Sequence, residues 1–254
     1  MFDVAFIQEK GNGRLMLESE LVREHCIRLE IPTQLYTPKR IDRRQLPLTR
    51  RSYIFGDMDC MHGAMRQLKI PIPEAIYYPQ SLTQHLHRKV WLDTLGNIQR
   101  RVEDGGAPVF CKPASRAKAF TGRVFSDHSE FYHIGGTSLR EPVWCSDVVS
   151  WQTEYRVYVN AGEIVAIDHY GGDTGVELDL AAVTQAISDY GHSDEAPVAY
   201  GIDFGVLVSG QTALVEANDG YALGAYKIGS APYAELTFAR WRQLLESTDD
   251  IGDR

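Results

Sequence analysis

The sequence predicts an α+β protein in which a small α/β layer precedes units of mixed helix and antiparallel strand. Three observations predict it. Strand-like and helix-like apolar patterns alternate through residues 1–80, an order that favours parallel pairing. The run IPIPEAIYYPQSL, with Pro71, Pro73 and Pro79, then breaks the pattern, because proline lacks a backbone donor and restrains the residue before it. Further on, two pairs of apolar runs are each joined by a short glycine-containing loop, as in antiparallel hairpins.

Taken in order, an apolar strand at Val4–Ile7 leads into a helical pattern from Leu15 to Leu29, with Leu17, Leu21, Cys26 and Leu29 at roughly helical spacing. Strands follow at Pro32–Tyr36 and Ser52–Phe55, separated by a basic stretch holding Lys39, Arg40, Arg43, Arg44, Arg50 and Arg51 that reads as a solvated loop. After the prolines, Ser81 reads as the N-cap of one long helix whose stripe is Leu82, Leu86, Val90, Leu95 and Ile98 and which Gly105-Gly106 ends. YRVYV and EIVAI flank Asn160-Ala161-Gly162, and GVLV and TALVEA flank Ser209-Gly210-Gln211. Helices are expected at Leu178–Tyr190 and Leu236–Glu246, and the final STDDIGDR has little to bury.

Composition narrows the function. With 44% hydrophobic and 24% charged residues, the 254-residue chain can bury a sizeable core, and its net charge of −8 disfavours a nucleic-acid partner. No window approaches a membrane span and the N-terminus does not resemble a signal peptide, so a cytoplasmic location is expected with no membrane partner. Cys26, Cys60, Cys111 and Cys145 are scattered singly, so neither a zinc site nor a disulfide scaffold is expected.

Three signals carry chemistry, and their order matters more than any one of them. In the first, the strand PVFCKP ends at Lys112 and is followed by SRAKAFTGRVF with Lys118 and Gly122. Two ammonium groups beside free backbone donors suit a polyphosphate, although a lysine ending a strand is ordinarily just solvated. In the second, a dry strand at Val148 and Val149 offers backbone groups to a nucleobase edge, and the next strand puts Glu154, Arg156 and Tyr158 on one face. The competing reading is an amphipathic edge strand with a surface ion pair of little value. In the third, Glu216 and Asn218 stand two apart on a strand whose hairpin partner brings Asp203 alongside. Two carboxylates and an amide oxygen suit magnesium held jointly with nucleotide phosphates, against the alternative of a buried glutamate satisfied by an arginine.

A strand lysine, a glycine-containing loop with a second lysine, an ExR strand, a distant aspartate and a terminal ExN resemble, in this order, the ATP-grasp superfamily. The resemblance spans residues 81–226, and EYRVYV with LVEANDGYALGAY resembles a poorly characterised bacterial and phage branch of it. It implies an ATP-grasp fold, two α+β subdomains clamping ATP after a small α/β N-terminal domain, with units at 1–80, 81–145 and 146–254. It also implies ATP and Mg2+ as cofactors. Lys112 and Lys118 would contact phosphates, Val148 and Val149 adenine, and Glu154 the nucleotide; Asp203, Glu216 and Asn218 would hold the metal, and Arg156 would meet the reacting phosphoryl group. The loop 114–123 departs from the family in having one glycine, and Trp151 stands where some relatives carry a ribose-binding carboxylate.

The implied activity is ligation of a small-molecule or peptide carboxylate to an amine through an acylphosphate, with residues 114–123 as a cover that excludes water. Two alternatives are a small-molecule kinase and a non-catalytic nucleotide sensor. Arg123, Tyr170, Lys227 and the basic stretch near Arg43 are unranked candidates for the acceptor side.

Overall fold

A computed structural model of the chain describes residues 2–114 and 119–247. The first unit contains β1 (Val4–Gln8), α1 (Leu17–Arg28), β2 (Thr33–Tyr36), α2 (Pro38–Asp42), β3 (Ser52–Phe55) and α3 (Met58–Leu68), with a parallel sheet in the order β2-β1-β3. β1 and β3 are almost wholly buried, as central parallel strands covered on both faces must be. The sequence reading has a basic loop at α2 and no helix at α3; Asp57 starts α3 by accepting from the Cys60 amide.

The second sheet is antiparallel, ordered β4-β7-β5-β6, from β4 (Val90–Thr94), β5 (Val109–Pro113), β6 (Arg123–Phe125) and β7 (Pro142–Asp147). α4 (Leu95–Glu103) packs on it through Leu95, Ile98 and Val102. The single helix expected from Ser81 is therefore corrected to three pieces: a 3-10 turn at Gln80–His85, β4, and α4, capped by Thr94. Its apolar residues are real core residues, but Leu82 and Leu86 enter one core and Leu95 and Ile98 another, which no single helix can do.

The third sheet, ordered β11-β10-β8-β9, comprises β8 (Trp151–Asn160), β9 (Glu163–Gly172), β10 (Ala199–Leu207) and β11 (Thr212–Asp219). Both expected hairpins form, with Ala161 and Gly162 at φ 52° and 83° in the two-residue turn between β8 and β9. α5 (Leu180–Gly191) covers the back of this sheet. Val148 and Val149 are corrected from a dry strand to the link between β7 and β8, where Val148 is 46% exposed.

α6 (Ser230–Glu246) shares its core with the N-terminal sheet. Trp241, fully buried, donates to the Ser52 carbonyl at 3.0 Å, and Phe238 lies edge-on to Tyr53 at 4.5 Å. The face of α1 that meets this core is Ser19, Val22, His25 and Cys26, while the expected stripe residues Leu17 and Leu29 are exposed. The bulk is supplied by α6, so α1 needs only small groups where the two helices meet. All four cysteines are buried and unpaired; Cys111 and Cys145 face each other with sulfurs 3.6 Å apart, well beyond a bond. Among the described residues no helix is long and apolar enough to cross a membrane.

Candidate functional site

The register of β8, β10 and β11 sets side chains in rows across one face of the third sheet. Arg156 lies opposite Asp203, and Asp203 opposite Glu216; in the next row Tyr158, Gly201 and Asn218 align. β10 is buried along its whole length, so Asp203, 3% exposed, needs a partner. Arg156 supplies it with two hydrogen bonds, Nε to Oδ1 at 2.8 Å and Nη2 to Oδ2 at 2.7 Å. Burial acts to lower the Arg156 pKa, and the bonds and charge of Asp203 outweigh it and raise it. Burial pushes Asp203 up against the pull of the guanidinium, so the partners disagree; the bidentate geometry, which needs both oxygens as acceptors, decides for an ionised pair.

Glu216 is held from the neighbouring sheet. The Lys112 ammonium donates to its Oε2, and Asn218 Nδ2 donates to Oε1 at 3.2 Å. Burial acts to raise Glu216, but Lys112 and Asn218 bring it below the usual carboxylate range. Lys112 is buried rather than solvated, which corrects the expectation for a strand-end lysine. Its ammonium lies 3.9 Å from the centre of the Tyr77 ring and 4.5 Å from that of Tyr78, and desolvation lowers its pKa despite Glu216.

A bulge makes the acid row possible. Asp203 pairs with Glu216 but Phe204 with Leu214, so Val215 is left over and Glu216 turns to the face of Asp203. β11 is an edge strand, and its outer groups are met by the proline-rich segment: Ala217 N–H donates to the Tyr77 carbonyl at 2.8 Å, and Arg88 donates to the carbonyls of Leu214 at 2.6 Å and Val215 at 3.0 Å. Sequence reasoning takes this segment as a boundary and misses Tyr77, Tyr78 and Arg88. The adjacent tyrosines and an arginine next to an apolar strand are the available signal.

Two cavities meet at these rows. The smaller, about 270 Å³, lies between the second and third sheets and is lined by Lys112, Val148, Val149, Glu154 and Glu216. Arg88 stacks over Trp151 at one side, 5.2 Å from the ring centre, and Gly205 is required beneath, since a Cβ there would lie 2.5 Å from the Trp151 ring. Glu154 accepts from Tyr170 at 3.0 Å. The larger, about 630 Å³, opens toward the N-terminal unit and is lined by Arg156, Asn218, His62, Tyr77, Trp144 and Tyr221 among others, a size usual for small-molecule sites.

Of the expected site residues, Lys112, Glu154, Arg156, Asp203, Glu216 and Asn218 are gathered on or beside one sheet face, and Lys118 lies outside the described residues, as does most of the first half of the expected cover. The acceptor candidates Arg123, Tyr170 and Lys227 do not line the larger cavity: Arg123 pairs with Glu130, and Tyr170 stacks on Tyr226 at 4.9 Å. Among the described residues no three His, Cys, Asp or Glu side chains form a metal cage by themselves. The donor set of two carboxylates and an amide nevertheless fits a hard divalent ion shared with phosphates, and each carboxylate already draws a cation.

A clamp of two β-rich units around a cleft, with a third unit over an adjoining cavity, defines an ATP-grasp protein. The chain belongs to this family: residues 85–236, more than half of its length, match an ATP-grasp domain family, the second of its clade. ATP and magnesium are the cofactors that go with that membership. Solved structures agree on the fold. D-cycloserine synthetase DcsG is similar with a TM-score of 0.61 at 11% identity, over 95% of this chain and 99% of that one. A RimK domain ATP-grasp protein from Sphaerobacter thermophilus has a TM-score of 0.54 at 15% identity, over 94% and 97%. D-alanine–D-alanine ligase from Bacillus anthracis, solved also with ATP, has 0.54 at 12% identity, over 99% and 100%. No curated protein matches the chain in sequence.

Proposed function

We propose that this protein is an ATP- and magnesium-dependent ligase that activates a carboxylate as an acylphosphate and joins it to an amine, with amino acids or peptides as the substrate class. The observation that carries the reading is the meeting of two cavities on one strand: Val215 and Glu216 line the smaller and Ala217, Asn218 and Asp219 the larger. A phosphoryl donor in the first and an acceptor in the second would face each other across β11, the arrangement an in-line transfer needs. Named relatives of the same fold, D-cycloserine synthetase and D-alanine–D-alanine ligase, join amino-acid-like substrates by their names, and this supports the class.

In this reading Val148, Val149 and Glu154 receive the nucleoside, and Lys112 with Lys118 neutralises phosphate oxygens. Asp203, Glu216 and Asn218 hold magnesium, which when bound draws charge from the phosphates. Arg156, lining the larger cavity, turns its guanidinium toward the transferring group. Units at 1–80, 81–145 and 146–254 form the acceptor wall and the two halves of the clamp, in a cytoplasmic enzyme. No protein nucleophile is needed.

The test is to incubate the protein with ATP, magnesium and a pool of the twenty amino acids and mixed dipeptides, with and without hydroxylamine. A hydroxamate formed only with ATP supports the acylphosphate. ADP release with a phosphate ester that survives hydroxylamine would make the protein a kinase, and ATP binding without turnover would make it a sensor.

A further inference from the structure

The larger cavity contains a group that the phosphoryl chemistry does not use. His62, on α3, reaches out of the N-terminal unit, and its Nε2 lies 2.8 Å from the hydroxyl of Tyr221. Tyr221 follows Asn218 by three residues and is tightly placed: its amide donates to Asp219, whose carboxylate takes two hydrogen bonds from Arg240 at 2.7 and 2.6 Å. Thus the end of the acid-bearing strand, through Tyr221, sets the position of an imidazole 159 residues away in the chain. Both rings line the cavity.

The other charged groups there are committed. Arg156 is locked to Asp203 and Asp219 to Arg240, while burial raises the hydroxyl pKa of Tyr77 and Tyr221 above the ordinary value. Glu74 sits on the exposed proline-rich run, where a carboxylate is a weak base. Among the described residues of this cavity only His62 has an unclaimed lone pair of useful basicity: with its proton on Nε2 it donates to Tyr221, and Nδ1 has no hydrogen-bond partner among the described residues. Burial lowers its pKa, Arg66 on the same helix lowers it further, and Asp59 opposes them, so the ring is neutral at physiological pH.

Resting on the ligase reading above, we propose that His62, held by Tyr221, is the base that takes the proton of the attacking amine. The amine lone pair forms the C–N bond at the acyl carbon, the C–O bond to phosphate breaks with its electron pair leaving on phosphate, and the N–H proton passes to Nδ1 of His62. An acceptor amine needs this help because at neutral pH it must shed a proton to complete the amide. Hydroxylamine is uncharged at that pH and needs it far less.

The experiment compares wild type, His62→Asn, His62→Gln and Tyr221→Phe, each first checked for an unchanged unfolding midpoint, with ATP, magnesium and the same amino-acid and dipeptide pool. The expected result for His62→Asn is a loss of amide formation of about a hundredfold or more at pH 7, the usual range for a removed general base, with a much smaller loss of hydroxamate. The amide deficit should shrink as pH rises and the free amine deprotonates itself, and Tyr221→Phe should show a weaker version of the same profile. Equal losses with both nucleophiles, an unchanged kcat with a raised KM, or a deficit independent of pH would overturn the base while leaving the ligase reading intact. A wild-type protein that makes no hydroxamate would overturn both. If a variant misfolds, NMR titration of His62 in the wild type decides: a ring protonated at neutral pH refutes the assignment and a neutral one supports it.

Discussion

Replacing Glu216 by Gln separates a metal ligand from a structural carboxylate. From sequence alone, two acids facing each other should repel, and the variant should leave apo stability unchanged or slightly raised. The structure reverses that expectation, because Lys112 covers Glu216 and Arg156 covers Asp203. Removing the Glu216 charge strands a lysine whose side chain is only 11% exposed. Breaking a fully buried pair costs about 3–5 kcal/mol. Here the retained amide oxygen still accepts a hydrogen bond, the Tyr77 and Tyr78 rings still face the ammonium, and Glu216 is 27% exposed, so about 1–2 kcal/mol is expected. Urea unfolding without ligands measures it. The same variant should then lose most of the stabilisation that ATP with magnesium confers on the wild type, about 2.7 kcal/mol at a hundredfold excess over Kd. A Glu216→Gln protein that is destabilised yet turns over ATP normally, or one whose magnesium-dependent nucleotide binding matches wild type, would refute the metal assignment.

Further outcomes follow from the same pairs. Magnesium alone should barely stabilise the protein, since both carboxylates are occupied by cations, whereas nucleotide phosphates can draw Lys112 away; Lys112→Met should therefore tighten Mn2+ binding measured by EPR without nucleotide while weakening ATP binding. Because Glu216 is depressed in the folded state, the unfolded chain binds more protons in that range, so its stabilisation is complete above about pH 4.5 and is lost as pH falls through the folded pKa; the stability gap between wild type and Glu216→Gln should narrow there in denaturation at stepped pH. Trp241→Ala should cost about 3–5 kcal/mol, as for other buried aromatics, and should unfold the N-terminal sheet together with α6 in hydrogen exchange, because they share one core.

What the sequence determined by itself was local. The period-two runs, the glycine loops at residues 160–162 and 209–211, and the two-residue spacing of Glu216 and Asn218 are properties of short segments, and from them the hairpins and the ATP-grasp fold could be read. The tertiary structure decided where short-range pattern is silent or ambiguous. An apolar stripe from Leu82 to Ile98 fits a helix as well as a strand flanked by helical turns, and only the presence of two separate cores chose between them. Whether Lys112 is solvated depends on Glu216, Tyr77 and Tyr78, and Lys112 and Glu216 are 104 residues apart in the chain. His62 carried no motif at all. Its chemistry comes from Tyr221 and from burial in a cavity whose walls come from distant parts of the chain, because the pKa and partners of a side chain are set by what surrounds it in space.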